Sequence, residues 1–205
     1  MKTPRTMILT LGALCAAALP AAANAGRMYV SDASGGRIYE LNDLNLDGDF
    51  NDTSEVTVFY DRNLGPVNVA TLDVDRGPSG ELYVPSSLFG DIAVLRDSNG
   101  DGDAHDPGEA SLFFSGANAG GISLYQISAV AVDSDGVVWV ATADGGQFGG
   151  EDSIVRIEDL NGDGDADDAG EASLYYVAPG TAQIGNEQFS NLTVGRDGLV
   201  YFVDT

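Results

Sequence analysis

Ile127-Ser-Ala-Val130-Ala-Val132, Asp133-Ser134-Asp135-Gly136 and Val137-Val138-Trp139-Val140 follow one another without a break, and this stretch decides the fold. The two outer runs are β-branched and aromatic, and too short for helices. The Asp, Ser and Gly cluster between them is turn chemistry, so the stretch reads as two strands joined by a tight turn. Upstream, Val69-Ala-Thr-Leu72-Asp-Val74 leads through Gly77-Pro78-Ser79-Gly80 to Glu81-Leu82-Tyr83-Val84 in the same way. Downstream, Leu192-Thr-Val194 turns at Arg196-Asp197-Gly198 and continues as Leu199-Val200-Tyr201-Phe202-Val203. A further copy lacks its opening strand and starts at Arg27-Met28-Tyr29-Val30.

Three of these copies continue into a second unit. An apolar run (Ile38–Leu41, Ile92–Leu95, Ile154–Ile157) precedes an acidic loop, and a run rich in aromatic residues (Val56–Tyr60, Ala110–Phe114, Ala172–Tyr176) follows it. Each acidic loop therefore connects a β-hairpin, and both flanking strands are expected to be covered on both faces. The loops begin 54 and 62 residues apart, and each full period holds four strands. Four-stranded units recurring at roughly 40 to 50 residues indicate propeller blades, lengthened here by the loops and by Gly-rich connections at 116–121 and 145–150. The expectation is an all-β chain, a β-propeller of four-stranded blades over residues 26–205, with two complete and two partial blades. The last sheet is half built at Asp204-Thr205. A fragment of a longer propeller accounts for this better than two chains completing each other.

The loops are Asp43–Glu55, Asp97–Glu109 and Asp159–Glu171, and all three read D-x-N-x-D-G-D-x-x-D-x-x-E. A hard divalent cation such as calcium takes six to eight oxygen ligands, and carboxylates at alternate positions of a tight loop supply them. The candidate ligands are Asp43, Asn45, Asp47, Asp49, Asp52 and Glu55; Asp97, Asn99, Asp101, Asp103, Asp106 and Glu109; and Asp159, Asn161, Asp163, Asp165, Asp168 and Glu171. Each loop holds at least five carboxylates and no Lys or Arg. Two like charges roughly 4 Å apart repel by about 4 kcal/mol at an effective dielectric near 20, so a cation would relieve a real strain. A solvated acidic turn is the plainer alternative, but it needs neither a fixed glycine nor a repeated asparagine. The loops resemble the calcium loop of the EF-hand. They depart from it in placing the last acid at position 13, in carrying Phe50, Ala104 or Ala166 at position 8, and in having strands as flanks.

The phrase V-D-x-D-G-x-x-W-V-A-T at Val132–Thr142, with looser copies at Leu72–Val84 and Val194–Val203, resembles the blades of NHL-repeat and gluconolactonase-like propellers. With their aspartate-rich loops the blades also resemble secreted bacterial propellers, including sorbosone-dehydrogenase-like ones. The resemblance implies architecture, and such folds host hydrolases, dehydrogenases and binding proteins alike. It also raises Asp32, Asp144 and Asp204, after the second strand of successive blades, as channel metal ligands. An aspartate that ends a strand and starts a turn explains them more simply.

Lys2 and Arg5, an apolar run from Met7 to Leu19 and Ala23-Asn24-Ala25 read as a secretory signal peptide over residues 1–25, which implies a secreted, periplasmic or cell-surface protein. Its apolar core is too short for a membrane span. The single cysteine, Cys15, lies within it, so a mature chain would contain no thiol for disulfides or zinc. The formal net charge is −23, and half of the 32 acidic residues sit in the three loops. Such a surface argues against nucleic acid and anionic membranes as partners. His105, the one histidine, is expected to face solvent at position 9 of the second loop. One histidine cannot build a triad or a histidine metal site. Arg37, Arg156 and Arg196 are expected to be local charge partners, and Trp139 and the aromatic pairs at 59–60, 113–114 and 175–176 to be packing between blades. These readings favour a secreted calcium-binding propeller serving as an interaction or scaffold module, its protein or carbohydrate partner unspecified. The alternative is an enzyme of lactonase or sugar-dehydrogenase type with its site in the central channel.

Overall fold

The computed structural model describes residues 26–70, 73–87, 89–124, 126–142, 152–178 and 189–204. The signal-peptide reading of residues 1–25 and Asp144 lie outside them. Every regular element among the described residues is a strand: β1 (Arg27–Asp32), β2 (Arg37–Asn42), β3 (Val56–Asp61), β4 (Asp75–Arg76), β5 (Leu82–Ser86), β6 (Asp91–Leu95), β7 (Ala110–Phe114), β8 (Ile127–Val132), β9 (Val138–Thr142), β10 (Ser153–Ile157), β11 (Ala172–Val177), β12 (Phe189–Val194) and β13 (Val200–Asp204). They form four antiparallel sheets in sequence order, β1-β2-β3, β4-β5-β6-β7, β8-β9-β10-β11 and β12-β13. These are the two complete and two partial blades of a propeller.

The hydrophobic core lies between blades, because period-2 alternation sends successive side chains to opposite faces of each sheet. Leu82 and Val84 of β5, with Ala93 and Leu95 of β6, pack towards Ile38, Phe59 and Tyr60 of blade 1. Their neighbours Tyr83, Ile92 and Val94 pack the other way, onto Val130, Val138 and Val140 of blade 3. Trp139, Ala141 and Ile154 then meet Phe189 and Leu192 of blade 4.

A β-bulge recurs at one place in the outermost hairpin of all three acidic-loop blades. The register shifts between Ile38 and Tyr39, Ile92 and Ala93, and Ile154 and Val155, which leaves Phe59, Phe113 and Tyr175 without a partner across the ladder. A bulge turns one extra residue off the alternation, so two consecutive aromatics can face the same neighbour. Phe59 and Tyr60 are 4% and 0% exposed, and Phe113 and Phe114 are 3% and 0% exposed.

Three sequence expectations need correction. The opening strand expected at Val69–Val74 is found as the two-residue β4 at Asp75–Arg76, with residues 71–72 outside the described ones. Aspartate side chains do part of a strand's work there: the Val130 and Val132 amides of β8 donate to Asp73 Oδ2 at 2.9 Å and Asp75 Oδ2 at 2.7 Å. The strands after the acidic loops are not covered on both faces, since Val56, Val58, Leu112 and Leu174 are exposed. Tyr175 and Tyr176 are not core residues, at 61% and 38% exposure, yet Tyr176 packs between blades as expected, 6.2 Å from Phe189 and 5.8 Å from Phe202 of blade 4, while Tyr175 meets Trp139 of its own blade edge to face at 4.8 Å.

Candidate metal sites in the acidic loops

The acidic loops join β2 to β3, β6 to β7 and β10 to β11, always the last two strands of a blade. Each opens with an aspartate whose carboxylate folds back on the turn. The Gly102 amide donates to Asp97 Oδ2 at 3.1 Å, and Gly48 and Gly164 donate to Asp43 Oδ2 and Asp159 Oδ2 at 3.0 Å each. These sixth-position glycines have φ of 94°, 96° and 100°, in chain order. No atom lies within 4 Å of an added Cβ at any of them, so backbone conformation and not space requires glycine.

Positions 3, 5 and 10 converge. Asn99 Oδ1 accepts from the Asp101 amide at 2.8 Å, while its Nδ2 donates to Asp101 Oδ2 at 3.1 Å and Asp106 Oδ2 at 2.7 Å. Asn161 bonds Asp163 and Asp168 in the same way, and Asn45 bonds Asp47 and Asp52. At position 7, Asp49, Asp103 and Asp165 each use one oxygen to accept the amide of position 9.

The last acid is buried in every loop: Glu55, Glu109 and Glu171 are 1%, 3% and 3% exposed. Both its oxygens bracket the loop. Ser98 and Asn99 amides donate to Glu109 Oε1 at 2.9 and 3.2 Å, and the Asp106 amide donates to Oε2 at 3.2 Å. Glu55 and Glu171 hold Leu44 and Asp52, and Leu160 and Asp168, in the same manner. A carboxylate charge can remain buried when backbone N–H groups satisfy it. In the second loop, oxygens of Asp101, Asp103 and Glu109 all lie within 4.8 Å of one another. The donor set is all oxygen, which suits a hard cation and not a soft one.

Two further left-handed positions went unnoticed in the sequence. Position 4 is Leu46, Gly100 or Gly162, with φ of 64°, 82° and 78°, and position 12 is Ser54, Gly108 or Gly170, with φ of 76°, 92° and 99°. The signal was present, because the second and third loops share glycine at both places. The first loop adopts the same conformation without it.

Positions 8 and 9 leave the loop and touch the preceding blade. Ala104 and Ala166 are fully buried, and their amides donate to the bulged carbonyls of Phe59 at 2.9 Å and Phe113 at 2.7 Å. His105 does not face solvent as expected. Its Nε2 accepts the Asp61 amide at 2.8 Å, its Nδ1 lies 3.0 Å from Asp103 Oδ1, and its ring stacks on Tyr60 at 5.4 Å. Asp167 takes the equivalent place in the third loop, accepting from the Ser115 amide at 2.7 Å and the Ser115 hydroxyl at 2.8 Å.

Outside the loops, Asp32 Oδ1 accepts the Ser34 and Gly35 amides at 3.0 Å, which makes it a turn cap as its simpler reading held. Its carboxyl is held below the usual range, chiefly by the Ser34 hydroxyl. Asp204 ends β13, and its side chain is outside the described residues. Arg37 pairs with Asp61 at 2.8 Å and Arg156 with Glu158, the local partnerships expected of them. Arg196 lies in the turn between β12 and β13. No helix among the described residues is long and apolar enough to cross a membrane.

No family model matches the chain, and no curated protein matches it. Among solved structures it is similar to a streptogramin B lyase, with 14% identity and a TM-score of 0.50 over 86% of this chain and 44% of that one. It is also similar to a catalytically inactive virginiamycin B lyase from Staphylococcus aureus solved with quinupristin, with 16% identity and a TM-score of 0.50 over 90% of this chain and 50% of that one. The chain thus spans about half the length of these structures. They are β-propellers, and the likeness is one of fold.

Proposed function

We propose that this chain is a secreted calcium-binding propeller of NHL-repeat or gluconolactonase-like type, whose EF-hand-like loops hold structural ions while the blades serve as an interaction module. The observation that carries this is the threefold recurrence of one loop conformation. Asp, Asn and Asp at positions 1, 3 and 5 lead into a left-handed glycine whose amide donates to the first aspartate, and the loop is closed by a buried glutamate. In this reading positions 1, 3 and 5 supply side-chain oxygens to the ion, with Asp49, Asp103 or Asp165 and the buried last glutamate beside them, as the grouping of Asp101, Asp103 and Glu109 supports. Asp52, Asp106 and Asp168 complete the candidate set and hold the asparagines in place. Residues 1–25 serve as the export signal, and residues 26–205 as propeller blades.

Calcium modules outside the cell commonly bind with dissociation constants of roughly 0.1 to 1 mM. Ligand at a hundredfold excess over its constant adds about 2.7 kcal/mol per site. Melting is therefore expected at clearly higher temperature in millimolar calcium than in excess EGTA, with calorimetric titration registering uptake. Coincident melting curves together with a flat titration would refute the calcium reading.

A further inference from the structure

We propose that each calcium site governs the docking of the blade before it, so that the ion in the second loop secures blade 1 and the ion in the third loop secures blade 2. The proposal rests on the calcium reading above and adds where the effect of each ion is felt. In the second loop the path is short. Asp103, a candidate ligand, lies 3.0 Å from His105 Nδ1, and His105 Nε2 accepts the Asp61 amide at the end of β3. The next residue upstream, Ala104, donates to the bulged carbonyl of Phe59. In the third loop, Asp165 accepts the Asp167 amide, and Asp167 takes both the amide and the hydroxyl of Ser115 just beyond β7. Ala166 reaches Phe113 as Ala104 reaches Phe59. Asp101 and Asp103 also line a cleft against Thr57 and Val58 of blade 1, so the candidate ligands themselves face the neighbouring blade.

A loop held by an ion keeps positions 8 and 9 aimed at that bulge, since both follow the seventh-position ligand directly. A metal-free loop carries mutually repelling carboxylates and loses that aim, and the cross-blade hydrogen bonds open with it. The first loop has Phe50 and Asn51 at these positions and no preceding blade among the described residues. Among the described residues it makes no such hydrogen bond to another blade. The coupling is therefore directional, each ion acting on the blade earlier in the chain.

Amide hydrogen exchange on the full chain tests this, with calcium chloride or EGTA as the only variable. Calcium at a hundred times its dissociation constant is expected to slow exchange of the Ala104, Asp61, Ala166 and Ser115 amides by about a hundredfold, the factor by which bound ligand suppresses an opening that releases it. Asp101→Asn is expected to abolish the slowing at Asp61 and Ala104 while leaving Ser115 and Ala166 protected. Asp47→Asn is expected to spare all four amides. His105→Ala is expected to keep calcium uptake by titration and lose protection at Asp61. Uptake with protection confined to each ion's own loop would overturn the directional coupling and leave the calcium reading standing. Absence of uptake would remove both. Equal slowing by sodium chloride at matched ionic strength would also overturn the coupling, since it would reduce the effect to screening.

Discussion

At the scale of single residues, Leu46 and Ser54 are the sharpest departures from the loop template. Both sit in the left-handed region, at φ of 64° and 76°, where the other two loops carry glycine. A side chain in that conformation costs about 1–2 kcal/mol, part of which is offset because glycine loses more freedom on folding. Leu46→Gly and Ser54→Gly are each expected to stabilise the protein by about 0.5–1 kcal/mol, read as a higher urea midpoint. Asp61 makes a second case. The Asn63 amide, and then the Arg37 guanidinium, hold its carboxyl down to about 2. Because the folded value is depressed, its contribution is present above the ordinary value of 3.8 and is lost as pH falls through about 2. Between those two pH values the wild type is expected to lose stability more steeply than Asp61→Asn, measured by urea midpoints along a pH series.

At the scale of elements, the outer hairpins show how a repeat becomes a fold. All three carry a bulge, and in the first two it turns two consecutive aromatics to one side and frees a carbonyl that a small residue and its N–H from the following loop meet. Ala166 is fully buried in that slot, so Ala166→Leu is expected to cost about 1–3 kcal/mol through overpacking, read as a lower melting temperature. Strand pairs, hairpins and the four-stranded period were legible in the sequence because turn residues and β-branched runs mark them locally. The bulge was not, since the doublets Phe59-Tyr60 and Phe113-Phe114 look the same whether one or both face inward. His105 was misjudged for a related reason. Its loop is acidic and its neighbours are polar, and only the arrival of the Asp61 amide from another blade draws it out of solvent. The shortness of β4 was equally hidden, because Asp73 and Asp75 interrupt the apolar run with carboxylates that bond the next blade's backbone. Within the loops, the sharp turn at the sixth-position glycine followed from spacing, whereas the joining of positions 3, 5 and 10 through the asparagine side chain did not. The bracketing by the last glutamate depended on its burial, which spacing alone does not encode.

At the scale of the whole molecule, a net charge of −23 must be carried by a body whose blades meet through apolar faces. Self-repulsion of this kind weakens the compact state, and salt screens it. In EGTA, raising sodium chloride from roughly 0.01 M to 1 M shortens the Debye length from about 30 Å to about 3 Å and is expected to raise the urea midpoint. On the calcium reading, the same series in saturating calcium is expected to give a smaller rise, because bound ions would already neutralise part of the charge. The chain also contains one tryptophan, Trp139, placed where the third blade meets the fourth. Its indole N–H donates to Asp133 Oδ2 at 3.1 Å, and its ring is buried beside the exposed Tyr175. The molecule thereby carries a built-in optical gauge at a single seam: emission from that indole registers separation of the third and fourth blades, while far-ultraviolet ellipticity registers the sheets together. Comparing the two signals during unfolding distinguishes a ring segment that opens at one joint from one that dissolves as a unit.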